Sequence, residues 1–403
     1  MSDDDATPAR GDGESSSENG RDPETTPEDV LERTRADAPL AAVVEKPRSE
    51  TAIESLRAEG VYDDSRRVRE DGPERVALPI TEPPTETPVL EVVRQLEPEP
   101  RNPDLEDRLA ARGWSETALE SAPGSWAVIG SVVMVTIPDD CPDERELGEA
   151  LLEIHGEADS VLADEGIAND GEAGTFREPK TRHVAGERET ETIHTEHGTR
   201  YGLDPSKVMF SPGNQAERAR MGELVEADER VFDMFAGIGY FTLPMARAGA
   251  HVTATERNPT AVRYLLENAM LNGVETRVDA YVSDCRDIAS DVEADRVVMG
   301  YYGSAADGGD DEGRSEDGQR EDGHGTRADE AHDFLSDALC ALVPGGVVHY
   351  HEATPRSRLW ERPLKRLETA SEEAGREFEV LEKRRVKSHS AGVDHVVVDA
   401  RFE

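Results

Sequence analysis

The chain is short of lysine, of cysteine and of long apolar runs, and each shortage narrows what it can be. Lysine occurs only at Lys46, Lys180, Lys207, Lys365, Lys383 and Lys387, so arginine carries nearly all of the positive charge. That charge is outweighed, with 45 basic residues against 88 acidic ones and a formal net charge of -43 over 403 residues. The acid is spread along the whole sequence and the hydrophobic fraction is only 36%. This is the composition of a surface adapted to molar salt rather than of a locally acidic protein that repels nucleic acid. At 1 M salt the Debye length is roughly 3 Å, so net charge excludes no partner, and RNA can still be held through stacking, shape and short-range arginine contacts. Cys141, Cys285 and Cys340 lie far apart with no close pair; that excludes a cysteine-rich zinc site and argues against a disulfide framework. No apolar run approaches the ~20 residues of a membrane span. The opening MSDDDATPARG lacks the basic-then-apolar pattern of a signal peptide. A soluble cytoplasmic protein is expected.

The length allows two or three domains. Residues 1–38 are rich in Asp, Glu, Ser, Pro and Gly without apolar periodicity, and a disordered acidic tail is expected there. Residues 39–84 read as a small α+β module: strand LAAVVEKP, helix SETAIESLRAEG, strand RVALPI. The run TEPPTETP then marks a boundary, since consecutive prolines continue neither a helix nor a central strand. A second α+β module is expected over 89–203. It has a short helix at EVVRQLEPE, two strands in SWAVIGSVVMVTIP, a helix at ELGEALLEIHGE and an acidic loop, ADEGIANDGEAGTFREPK. It ends in a hairpin with a His-Gly turn in HVAGERETETIHTEHGTRYGLD. The close pairs His194/His197 and His349/His351 have no third ligand at zinc-site spacing, and no metal is assigned.

Residues 204–403 carry the strongest pattern. VFDMFAGIGYFT runs from an apolar strand ending near Asp233 through a glycine turn (Ala236-Gly237-Ile238-Gly239) into a helix; HVTATERNP follows as a strand ending in Glu256. Strand, glycine turn, helix, strand and acidic residue make the first βαβ unit of a nucleotide-binding sheet. Glycine lets backbone approach a ligand, and the carboxylate can accept hydrogen bonds from ribose hydroxyls. Ser211-Pro212-Gly213-Asn214, ahead of the helical ERARM, could equally serve an anion or cap its own helix. Strands then alternate with helices and close in a hairpin, interrupted by an acidic, glycine-rich insertion at about 306–330. The expected fold is α/β, a class I methyltransferase-like, Rossmann-like domain behind smaller α+β modules.

The segments AGERETETIHTEHG, KVMFSPGNQAERARM, DMFAGIGYFTLPMA and DRVVMGYY resemble the family containing archaeal tRNA guanosine-37 N1-methyltransferase and the wyosine-pathway tRNA aminocarboxypropyltransferase. The resemblance covers residues 40–403 and implies S-adenosylmethionine as cofactor and the tRNA anticodon loop, at position 37, as partner. It suggests a haloarchaeal member that acts as a monomer, with residues 40–203 docking the tRNA body. The methylating branch reads Ser-Pro-Arg where this chain has Ser211-Pro212-Gly213, and Asn-Leu-Pro where it has Gly300-Tyr301-Tyr302. Both departures resemble the aminocarboxypropyl branch; the N1-methyltransferase is the alternative. By matching position, Glu256 would hold the ribose, Asp284 and Cys285 would border the adenine, and Phe235, Ala236 and Gly237 would line the cofactor turn. Ser211 and Arg218 would engage the methionine end, Arg218 through its carboxylate. Asn214, Tyr301 and Tyr302 would face the base, a tyrosine stacking on it. No catalytic acid or base is assigned.

Overall fold

The computed structural model describes residues 38–168, 170–301, 331–390 and 392–403. The expected tail, all but Ala38 of it, the insertion at 306–330 and Tyr302 lie outside the described residues. The described residues divide into two compact units, the first ending at residue 103 and the second beginning at residue 104.

The first unit runs β1 (Leu40–Glu45), α1 (Ser49–Ala58), β2 (Arg69–Glu70), β3 (Arg75–Ile80) and β4 (Glu91–Arg94), with sheet order β2-β3-β1-β4. Ala52 and Leu56, four apart on α1, pack on Val44, Leu78 and Ile80, the i, i+4 stripe that makes this helix amphipathic. The expected boundary at TEPPTETP is corrected. That loop is tied down by Glu59, whose carboxylate accepts the backbone N–H groups of Thr85, Glu86 and Thr87. The chain then returns as β4, which pairs antiparallel with β1 from Leu40↔Arg94 to Val43↔Glu91. EVVR is therefore a strand and not the expected helix. So short a helix has no stability of its own, whereas the edge of β1 offers a ready ladder.

The second unit opens with α2 (Leu105–Ala111) and α3 (Glu116–Glu120). It continues with β5 (Ala127–Ile129), β6 (Val132–Val135), α4 (Glu144–Ile154), β7 (Ser160–Ile167), α5 (Gly171–Thr175) and β8 (Pro179–Gly186). These strands form a sheet of order β5-β6-β7-β8. The hairpin β9 (Thr192–Glu196) and β10 (Thr199–Leu203) follows, its turn made by His197 and Gly198 at φ 46° and 75°. Two consecutive positive φ values give the turn whose twist suits a tight hairpin, as the His-Gly pair suggested.

After α6 (Gln215–Leu224) come β11 (Arg230–Asp233), α7 (Thr242–Ala248), β12 (His251–Glu256), α8 (Pro259–Leu271), β13 (Val278–Val282) and β14 (Ala294–Met299). The unit closes with α9 (Leu335–Ala341), β15 (Leu342–Pro355), α10 (Glu361–Ala374), β16 (Phe378–Ser390) and β17 (Val393–Phe402). The seven-stranded sheet has order β13-β12-β11-β14-β15-β17-β16. Strands β11 to β15 run parallel and β17 antiparallel to β15, the doubly wound class I layout expected. The break expected between 203 and 204 is absent, because one core crosses it: Ile129, Tyr201 and Leu203 share a cluster with Val231, Val252 and Leu265. Among the described residues no helix is long and apolar enough to cross a membrane.

Candidate functional site

Strand order reverses between β12-β11 and β14-β15, and ligands of such sheets bind beyond the carboxyl ends of the strands at that point. An open cleft of about 810 Å³ lies there. Its lining includes Phe235 after β11, Glu256 at the end of β12, Asp284 and Cys285 after β13, and Gly300 and Tyr301 after β14. Four successive strand ends thus converge on one space.

The glycine turn forms the floor. Gly237 has φ 56°, and a Cβ there would lie 2.3 Å from the Tyr240 ring; only glycine fits. Its N–H donates to Glu256 Oε2 at 3.1 Å, while the Asn258 N–H donates to Oε1 at 2.8 Å. Glu256 is thus oriented by two backbone donors, and a carboxylate so held can accept from a diol. Asn258 in turn accepts from the N–H groups of Thr260 and Ala261 and caps α8, with Pro259 in the first helical position.

One wall is aromatic. Tyr301 stacks on Phe235 (centroids 5.1 Å apart, planes at 30°), and Phe334 meets both rings edge-on. Asp284 caps the turn that follows it, accepting the Arg286 N–H at 3.1 Å, and is paired by the Arg286 guanidinium at 2.7 Å. Burial pushes its carboxyl up, but the Arg286 hydrogen bonds prevail and hold it below the ordinary range. It is ionised at neutral pH and can accept from an amine. Burial pushes the Cys285 thiol up to about 12, so this residue contributes shape and no nucleophile.

Several expected site residues stand elsewhere. Ala236 is buried in the core and meets the cleft only through its neighbours. Arg218 is held within the fold. Its guanidinium, 3% exposed, makes a two-pronged pair with Glu196 at 2.7 Å on each arm, and its remaining terminus donates to the Ser211 carbonyl at 3.0 Å. It is paired within the fold, is absent from this cleft's lining and holds the Ser211 turn through its carbonyl. Burial pushes the Glu196 carboxyl up, but His194 and Arg218 more than reverse this and hold it low, which keeps the pair ionic. The Ser211 hydroxyl meets Lys387 Nζ at 2.8 Å. Asn214 keeps a buried Oδ1 with no partner. Neither Ser211 nor Asn214 lines the cleft, although Val208 and Met209 just before them do.

Other residues at the site left no mark in the sequence pattern. The stretch read as an acidic loop folds into the end of β7, α5 and the start of β8, and it delivers Thr175, Phe176 and Arg177 to the cleft. Arg177 takes the left-handed position that ends α5 (φ 53°), and its guanidinium carbon lies 5.5 Å from the Tyr301 ring centroid, within cation–π range. Asn268, on α8, bonds Gly202 through both N–H and C=O and also donates to the Ile238 carbonyl at 3.1 Å. This one buried amide fastens the β9–β10 hairpin to the glycine turn.

Asp233 ends β11 fully buried, its Oδ2 receiving the Thr242 hydroxyl at 2.7 Å. Burial raises its carboxyl from 3.8 to about 6, so between those values the folded chain keeps a proton that the unfolded chain releases. This contribution to stability is complete below the unfolded value and is lost as pH rises through the folded one. Asp233→Asn, which stays neutral, should therefore gain on the wild type as pH rises from 4 to 7, by on the order of 2 kcal/mol. Urea unfolding at several pH values checks this; parallel curves for the two proteins would refute it.

Comparison with known proteins agrees with this geometry. Residues 192–310 match the TRM5/TYW2 methyltransferase domain, and residues 105–190 match the TYW2 N-terminal domain. The chain is 40% identical over 232 residues to the tRNA(Phe) (4-demethylwyosine(37)-C(7)) aminocarboxypropyltransferase of Methanocaldococcus jannaschii, covering 57% of this chain and 82% of that one. The crystal structure of Pyrococcus horikoshii TYW2 in complex with MeSAdo superposes with a TM-score of 0.58 at 31% identity, over 74% of this chain and 97% of that one. Trm5b from Pyrococcus abyssi gives 0.63 at 30% identity, over 91% and 99%. The chain belongs to the TRM5/TYW2 family, whose members include both aminocarboxypropyltransferases and guanine-37 N1-methyltransferases of tRNA.

Proposed function

We propose that this chain transfers the 3-amino-3-carboxypropyl group of S-adenosylmethionine to C7 of 4-demethylwyosine at position 37 of tRNA(Phe). The cleft fits the donor: a carboxylate for the ribose, an ionised Asp284 and an aromatic wall surround a floor that only glycine can form. S-adenosylmethionine supplies an electrophilic carbon on its sulfonium, and the residues present supply position. Glu256 orients the ribose, Asp284 accepts from the adenine amine, and Phe235 and Tyr301 exclude water from one side. Arg177 stands beside Tyr301, where a flipped base would enter. With Cys285 held neutral, catalysis rests on alignment of nucleophile, carbon and sulfur. The anticodon loop is already single-stranded, so extrusion of its base is inexpensive.

The observation that carries the choice of branch is Gly300. A Cβ at this position would lie 2.7 Å from the Phe241 ring, which is itself buried and packed against His351. The asparagine of the methylating branch has no room here unless that ring moves. The likeness to Trm5b keeps methyl transfer to guanosine as the second reading. Substrate choice separates them, in assays run in molar potassium chloride to suit the acidic surface. tRNA carrying 4-demethylwyosine should be modified and an unmodified transcript left untouched. Methylation of the plain transcript would overturn the proposal. Action on tRNA by a chain without a membrane-spanning helix among its described residues fits a cytoplasmic enzyme.

A further inference from the structure

Two cations grip the turn at Ser211, and among the described residues only one of them has an acidic partner. Arg218, on the Ser211 carbonyl, is paired with Glu196. Lys387, on β16, donates to the Ser211 hydroxyl at 2.8 Å and has no carboxylate within ion-pair distance among the described residues. In a chain with 88 acidic residues against 45 basic ones, that is unexpected. Partial burial makes an unpaired charge costly, and acid is plentiful everywhere else. Lys46 and Lys207 each have a carboxylate at 2.7 Å, on Glu70 and Asp204, while Lys180, Lys365 and Lys383 are exposed. Among the described residues, Lys387 alone of the six lysines is half-buried without an acidic partner.

Its neighbours on the turn are a glycine and an amide with an unsatisfied oxygen. The stem of Lys387 passes beside Gly213, where a Cβ would stand 3.4 Å from Cδ and 3.6 Å from Nζ. The lysine thus supplies from β16 a positive charge at the turn where residue 213 supplies none. Asn214, next along, retains its unsatisfied amide oxygen.

We propose that Lys387 is an oxyanion-binding residue at the Ser211 turn, just beyond the cleft lining, its ammonium held by the Ser211 hydroxyl and offered to a carboxylate or phosphate of a substrate. An ammonium suits either oxyanion as a point charge. Two substrate groups qualify: the α-carboxylate of S-adenosylmethionine and a phosphate flanking the target nucleotide. The inference rests on the reading of the chain as an S-adenosylmethionine-dependent tRNA transferase, though not on which carbon is transferred.

Lys387→Met keeps the stem and removes the charge; Lys387→Arg keeps the charge. Binding of S-adenosylmethionine, of methylthioadenosine (which lacks the carboxylate) and of tRNA is measured for each at fixed ionic strength, alongside Tm. Lys387→Met should lose about tenfold or more in affinity for one charged ligand, with Tm unchanged and Lys387→Arg restoring most of it. Weaker S-adenosylmethionine with unchanged methylthioadenosine identifies the carboxylate. Weaker tRNA with unchanged S-adenosylmethionine identifies the phosphate. Unaltered affinities, or losses accompanied by a lowered Tm that Lys387→Arg does not rescue, overturn the proposal. Failure of the wild type to bind S-adenosylmethionine would instead sink the functional reading beneath it.

Discussion

Glu256→Ala should bind S-adenosylmethionine about a hundredfold more weakly than the wild type, since each hydrogen bond to a charged group is worth ~1.5–3 kcal/mol. Two such bonds, to the ribose hydroxyls, would be lost. A second loss adds to them: the N–H groups of Gly237 and Asn258 give up their acceptor, so the floor of the cleft loosens as well. Glu256→Gln keeps the shape and one oxygen and should fall between the two. Calorimetric titration in molar salt reads the effect directly. An affinity unchanged by Glu256→Ala would place the donor elsewhere.

Arg218→Ala should destabilise the fold and leave donor affinity nearly untouched. Arg218 and Glu196 are 3% and 5% exposed, and removal of one member of a buried pair costs ~3–5 kcal/mol because the other charge is left uncompensated. For a unit of this size, that lowers Tm by roughly 5–8 °C. Replacing both together, as Arg218→Met with Glu196→Leu, should recover much of the loss, since an apolar pair of similar volume fits such sites. A direct role for Arg218 on the methionine carboxylate makes the opposite demand: unchanged Tm and sharply weakened donor binding. Thermal unfolding and calorimetry on one preparation decide between them.

What the sequence made legible was what local pattern encodes. The glycine turn, Glu256 and the alternation after it are set by backbone sterics and short-range periodicity, and the structure places them at adjoining strand ends. The pairing of Arg218 was not legible because its partner, Glu196, lies 22 positions away on a hairpin. No spacing rule reveals that a guanidinium is already satisfied. The Lys387–Ser211 contact spans 176 positions and was invisible for the same reason. Arg177 was hidden by composition. The segment 163–180 looks like solvated loop because its acid faces outward, yet three of its residues turn into the cleft. The boundary drawn at TEPPTETP failed differently. Prolines ended a strand as expected, but the chain came back to the edge of β1, and strand return is a tertiary event that no local signal announces.

The identity of the transferred group is tested most directly by the nucleoside that the donor leaves behind. The purified protein would be incubated in molar potassium chloride with tRNA bearing 4-demethylwyosine and S-adenosylmethionine labelled in its adenosine part, and the labelled products resolved by chromatography. Methylthioadenosine, formed in step with the modified nucleoside, is the expected product. S-adenosylhomocysteine in its place would show that the methyl group had moved, and would contradict aminocarboxypropyl transfer.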